Sequence, residues 1–225
     1  EIEEEIGTIA LESEYNNTPF IEGSVFTADM IQWGKPPRID HFEFIVGRWD
    51  PAYSGKNDYN AVRVWGLKDH KFWLIAAFVR QCKMKEAVMW ICNYNAQVPP
   101  SVHIHWRVES QFWNDPLRES ISEVEQELKT TAGISVVDSP KGKKLDRLMR
   151  MHPYYQNGRA WWSESIKSTN DCQVGLAQLL GIEPGYRTHD DAPDADEQAI
   201  SDLVKVDRAL SFNPSIGKLT TSHSW

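Results

Sequence analysis

The chain has 225 residues and 25.9 kDa, with 24 Lys and Arg against 32 Asp and Glu, a formal charge of −8. Glu1, Glu3, Glu4, Glu5, Glu12, Glu14, Glu22 and Asp29 stand before any Lys or Arg, so the body from Lys35 onward is neutral overall. That excludes a basic nucleic-acid coat and confines any phosphate contact to a local patch. Apolar residues at 41% and charged residues at 25% exclude a disordered chain. No apolar run nears the ~20 residues of a membrane span, and no signal peptide opens the sequence. The first residue is glutamate rather than methionine, which reads as a fragment of a longer chain. Three cysteines, Cys82, Cys92 and Cys172, form no C-x-x-C and read as reduced thiols of an intracellular protein.

The first element in chain order is a short acidic helix within Gly7 to Asn17, closed by Asn16-Asn17-Thr18-Pro19. Residues 1–35 read as lead-in, the folded body as 36–210, starting near Asp40, and 211–225 as a tail. His41 to Trp49, Tyr59 to Gly66 and Lys71 to Val79 are rich in aromatic and β-branched residues and closely spaced, which predicts an antiparallel meander. Met84, Val88, Ile91 and Tyr94 then repeat at helical spacing, Val102 to Val108 alternates as a strand, and Leu117, Ile121, Val124 and Leu128 form one helical face. A short strand at Ile134 to Val137 follows, then a helix through Leu145, Leu148, Met149 and His152, and another strand at Arg159 to Trp162. A helix from Asp171 to Leu180 and one carrying Ala195, Ala199, Leu203, Val206 and Leu210 complete the body. The expected fold is α/β: a mixed sheet of five or more strands, meander first and parallel strands after, with helices on both faces.

Acids collect at element ends. Asp50 closes the first strand, Glu109 closes the strand at Val102 to Val108, and Asp190, Asp191 and Asp194 open the last helix. Sites in α/β sheets gather at the carboxyl ends of strands. If the two strands are parallel neighbours, Asp50 and Glu109 lie side by side, and the last helix brings its acids beside them. Carboxylates so placed repel unless a cation neutralises them, and such clusters suit Mg²⁺ or Mn²⁺ acting on phosphate esters. Taken singly, each acid also has a structural reading: Asp50 opens a turn before Pro51, and Asp191 and Asp194 favour a helix start.

A rival set is His103, His105 and Glu109, whose H-x-H-x-x-x-E spacing resembles the first metal motif of the cupins, without that motif's flanking glycines. Ser54-Gly55-Lys56 lacks the rest of a phosphate loop, and no EF-hand is present. Lys141, Lys143, Lys144, Arg147 and Arg150 form the one basic run, either a solvated helix face or a phosphate patch.

Four blocks come in a familiar order: Trp49-Asp50-Pro51-Ala52-x-Ser54-Gly55-Lys56-x-Asp58-Tyr59-x-Ala61, Val108-Glu109-Ser110, Lys144-x-x-Arg147, and His189-Asp190-Asp191-Ala192-Pro193-Asp194-Ala195. Over residues 20 to 205 they resemble the C-terminal nuclease domain of bacteriophage terminase large subunits. The resemblance implies an RNase H-like fold and a metal-dependent endonuclease cutting concatemeric viral double-stranded DNA during packaging, in the cytoplasm of the bacterial host. It implies Asp50, Glu109 and Asp191 as catalytic metal ligands, with Asp190 and Asp194 as further candidates, and two Mg²⁺ or Mn²⁺ ions. On this reading Lys143, Lys144 and Arg147 hold DNA phosphates without reading sequence. An N-terminal ATPase domain, a small terminase subunit and a portal are the implied partners, and no membrane is. The alternatives are a non-catalytic docking domain and, more remotely, a cupin-type His/Glu enzyme.

Overall fold

The structure, a computed structural model, describes residues 25–53 and 58–212. The helix expected at Gly7 to Asn17, residues 54–57 of the first motif and the tail beyond 212 lie outside them. Seven strands form one sheet: β1 (Gln32–Gly34), β2 (Phe44–Asp50), β3 (Asn60–Lys68), β4 (Lys71–Arg80), β5 (His105–Glu109), β6 (Ser135–Val137) and β7 (Ala160–Ser163). Their order across the sheet is β1-β7-β4-β3-β2-β5-β6. β2, β3 and β4 are the antiparallel meander, and Asp69 and His70, both with positive φ, make the tight β3–β4 turn. β5 joins β2 in parallel, β6 joins β5, β7 joins β4 and β1 joins β7, also all in parallel.

The helices are α1 (Met84–Gln97), α2 (Asp115–Leu128), α3 (Lys144–Met149), α4 (His152–Gln156), α5 (Asn170–Leu180) and α6 (Asp191–Phe212). Alternation along the strands sorts the core onto two faces. Ile45, Trp49, Val62, Val64, Trp106 and Val108 face α1 and α2. α2 starts where Asn114 accepts the Leu117 N–H, and it buries Leu117, Ile121 and Val124 as the spacing predicts. Gly47 faces this side too, and a Cβ there would lie 2.0 Å from the Trp106 ring, so no larger residue fits between β2 and its parallel neighbour.

Val46, Trp65, Leu67, Leu74 and Trp162 face α5 and α6. α6 is pinned to β3 by a fully buried ion pair, Arg63 Nε to Asp196 Oδ1 at 2.7 Å, with Trp65 Nε1 donating to the same oxygen at 2.6 Å. Losing one partner of such a pair costs about 3–5 kcal/mol, because the other charge stays buried. This contact fixes where the acidic start of α6 comes to rest.

Two elements differ from the sequence reading. Residues 25–34, expected to be lead-in, are built into the fold: Val25 and Phe26 are core residues, Val25 N–H donates to Ile182 O, and β1 extends the sheet. The single helix expected through Leu145 to His152 is two, α3 and α4. Pro153 stands in the first turn of α4, where its missing N–H costs nothing but cannot continue the bonding of α3.

Candidate active site

Strand register brings the first two acids together. β2 and β5 run parallel with Trp49 opposite Val108, so Asp50 and Glu109 each follow that pair by one residue on the α6 face. Antiparallel pairing sets Asp50 opposite Ala61 at the start of β3. Two residues earlier the Tyr59 backbone amide donates to the Asp191 carboxylate, which ties the start of α6 to the same sheet end. The first turn of α6 is set from α5 as well, where Gln178 Oε1 accepts the Ala192 N–H at 2.8 Å. Acids are favoured at this helix start.

Burial first, then the charges of Asp194 and Asp191, push the Asp50 carboxyl well above the usual carboxylate range; Lys144 opposes them and Glu109 adds to them. Asp191 is raised by burial against the pull of the Tyr59 amide. Its Oδ2 is buried without a hydrogen-bond partner, and His189 Nδ1 lies 3.8 Å from it. Asp190 accepts Lys144 Nζ at 2.9 Å and the Tyr186 hydroxyl. Asp194 lies 3.4 Å from Lys144 Nζ and 2.8 Å from Arg147 Nη2. Arg147 also meets Glu197 at 3.2 Å, and burial pushes Glu197 up to about 6 against the pull of Arg147 and Arg150.

Glu109, only 3% exposed, is held at both oxygens. Gln198 Nε2 donates to Oε1 at 2.6 Å and Gln111 Nε2 to Oε2 at 2.7 Å. Arg48 Nη1 donates to Gln198 Oε1 at 3.1 Å, and Arg48 and Arg107 both pair with Asp202, at 2.5 Å and 2.9 Å. Asn60, buried at the start of β3, accepts Trp49 Nε1 and the Ala52 N–H, each at 3.1 Å, and donates to Ala52 O at 3.1 Å and Cys82 O at 2.8 Å. Both ends of the turn that carries Asp50 are thereby fixed.

Asp50, Glu109, Asp191 and Asp194 thus form one electrostatic cluster, with Asp190 joined to it through Lys144. The oxygen donors are those that Mg²⁺ and Mn²⁺ prefer, and the orphaned Asp191 Oδ2 is a vacant acceptor, so the residues fit a divalent ion in kind. Among the described residues no three His, Cys, Asp or Glu are already gathered as a metal cage; the Lys144 ammonium stands among the acids instead. Burial works to lower the Lys144 pKa, but the attraction of Asp194 and Asp190 outweighs it and raises the value.

The basic run divides by burial. Lys143 is exposed before α3, whereas Lys144 and Arg147 face the acids. His105 stacks on Phe44 at 4.2 Å between ring centroids, with His103 edge-on to it. A single mixed sheet with helices on both faces is not the two-sheet roll of a cupin, which overturns that alternative. Gln198, Arg48, Asp202 and Asn60 were missed from sequence. Only Asn60 left a signal, a lone amide opening a strand that is mostly apolar.

No curated protein matches the sequence. Among solved structures, the large terminase of a thermophilic bacteriophage, in complex with ADP, aligns with a TM-score of 0.60 at 12% identity, over 87% of this chain and 49% of that one. The human cytomegalovirus terminase nuclease domain, Mn soaked and inhibitor bound, aligns with a TM-score of 0.56 at 16% identity, over 79% and 94%. The nuclease domain of the P22 large terminase aligns at 0.50 and 15% identity, over 76% and 87%. The chain spans about half the length of the thermophilic phage's large terminase. At such identities the likeness shows the fold, which is RNase H-like. The terminase RNaseH-like domain family matches residues 47–203, the stretch that holds every acid of the cluster, and the chain belongs to that family.

Proposed function

We propose that this domain is a divalent-metal endonuclease that hydrolyses phosphodiester bonds of double-stranded viral DNA during genome packaging. The observation that carries the reading is the convergence of Asp50, Glu109, Asp191 and Asp194 at one sheet end, where burial and mutual repulsion push Asp50 far above its ordinary range. Membership of the terminase RNaseH-like domain family supports it, as does the use of manganese in the cytomegalovirus nuclease-domain structure.

Asp50, Glu109 and Asp191 would hold two Mg²⁺ or Mn²⁺ ions, with Asp190 and Asp194 as supplementary carboxylates. When bound, the ions supply a nucleophilic water at neutral pH and stabilise charge on the leaving oxygen. Glu109 is kept in one orientation by Gln198 and Gln111. Asn60 fixes the turn that presents Asp50. Lys144 neutralises Asp190 and Asp194 and lies at the edge where a phosphate would arrive, and exposed Lys143 would meet the DNA backbone. Arg147, buried between Asp194 and Glu197, would serve by holding those acids.

In the whole protein we assign this domain a place after an ATPase domain, with a small terminase subunit and the portal as partners, acting in the bacterial cytoplasm. Among the described residues no helix is long and apolar enough to cross a membrane. The test is plasmid cleavage: nicked or linear product with Mn²⁺ or Mg²⁺, none with EDTA, and recovery when the ion is returned. Cleavage that persists in EDTA contradicts the proposal.

A further inference from the structure

Beside the acidic cluster a cavity of about 440 Å³ runs along α6. One wall is the flank of α6 from Glu197 and Gln198 to Lys205 and Arg208; Lys141, Arg150 and Tyr154 form the other. Five bases and three acids line it, and two of those acids are already neutralised within the wall. Asp202 is paired with Arg48 at 2.5 Å and Arg107 at 2.9 Å, and Glu197 with Arg147 at 3.2 Å. Asp138 is the third acid; Lys141, Arg150 and Lys205 are exposed on the lining, with Arg150 also acting on Glu197 and Lys205 lying 3.8 Å from Asp202 Oδ1. On a body with no net charge this is a local concentration of cations, open to solvent and continuous through Glu197 and Gln198 with the candidate active site.

We propose that this cavity is a second phosphate site, which grips the nucleic-acid backbone at a distance from the bond being cut. It rests on the nuclease reading for what happens next door, but its own chemistry is backbone binding. Lys205 follows Asp194 by eleven residues of α6, about 16 Å along a helix rising 1.5 Å per residue. That span equals about five steps of duplex rise at 3.4 Å each. A strand cut at the acids therefore has phosphates within reach of Lys141, Arg150 and Lys205 several nucleotides away. Contacts of this kind add affinity and alignment without reading sequence. They also remove a burden from Lys144 and Arg147, whose charges are committed to carboxylates.

The experiment is fluorescence anisotropy of a labelled DNA duplex with the whole chain, without divalent metal, across a salt series. Because the readout is binding, a chain that binds but never cuts would defeat the nuclease reading and leave this site standing. Lys141→Ala/Arg150→Ala/Lys205→Ala is expected to bind about tenfold more weakly near 0.1 M salt, with the log–log salt slope shallower by up to ~2.7. The charge-preserving Lys141→Arg/Arg150→Lys/Lys205→Arg should stay within about threefold of wild type, at an unchanged melting midpoint. An alanine triple variant with wild-type affinity and slope overturns the proposal, as does a wild type that fails to bind even at low salt. Tighter binding by the alanine variant also overturns it, since the three cations would then oppose DNA binding.

Discussion

Gln198 and Glu109 lie 89 residues apart in sequence and 2.6 Å apart in the fold, amide nitrogen to carboxylate oxygen. The glutamine is the hinge of a buried relay, because its own oxygen accepts Arg48, which is clamped to Asp202. Removing the amide takes one donor from the Glu109 carboxylate and one acceptor from the Arg48 guanidinium, leaving Gln111 and Asp202 as their remaining partners. Gln198→Ala should lower kcat for DNA cleavage by about 10–100-fold with little change in KM, through misplacement of Glu109. It should also cost about 1–3 kcal/mol of stability. Steady-state kinetics paired with urea unfolding checks both.

Asn60 offers a second test of positioning. Its amide makes four hydrogen bonds around Asp50, and no other residue type of that size supplies both donor and acceptor there. Asn60→Ala should destabilise by about 1–3 kcal/mol and slow cutting, and Asn60→Asp should destabilise at least as much, because it sets a buried carboxylate oxygen against the Ala52 and Cys82 carbonyls. A cleavage rate unchanged in Asn60→Ala would mean that the Asp50 turn holds its shape unaided.

How far the sequence could be read depends on the range of the interaction. The meander and the α2 stripe are local patterns, and Leu117, Ile121 and Val124 are buried as their spacing predicts. Asp50 and Glu109 were legible as a pair because both end strands, and parallel neighbours share their carboxyl ends. β1 was not legible: three residues carry no periodicity, and Gln32–Gly34 is a strand only because β7 lies beside it. The polar residues of α6 misled in another way. Asp196, Gln198 and Asp202 show no spacing that marks them as core, yet each is buried against an arginine or an acid from a distant strand. No helical period encodes a partner that far along the chain. The same holds for Arg147, which the basic run places on the surface and the fold places between two carboxylates.

His152 carries the expected pH dependence of stability outside the site. Burial holds its pKa below the usual 6.5, against a hydrogen bond to the Val25 backbone, and its ring packs 5.6 Å from that of Phe26. A histidine lowered in the folded state binds protons better when unfolded, so its contribution is full above 6.5 and is lost as pH falls through and below that value. His152→Phe should keep the aromatic contact and lose that part of the acid sensitivity. The wild-type melting midpoint should fall relative to that of the variant as pH falls through this range; parallel curves would place the sensitivity elsewhere.

Crowded acids should also make the metal-free site a source of instability. Since burial and like charges raise Asp50, Asp50→Asn is expected to melt higher than wild type in EDTA. Mn²⁺ should raise the wild-type midpoint and leave the variant nearly unmoved, because an ion stabilises only the protein that binds it. Equal shifts in both would show that the ion binds away from Asp50.

The central claim is that the acids at this sheet end do the cutting, and Asp50→Asn tests it most directly, since the amide keeps the shape of the side chain and removes its charge. Plasmid cleavage in Mn²⁺ should fall by about 10³-fold or more in a protein that is folded by the same melting criterion, while His103→Ala and His105→Ala cut within a few-fold of wild type. A folded Asp50→Asn protein that cuts at the wild-type rate contradicts the account.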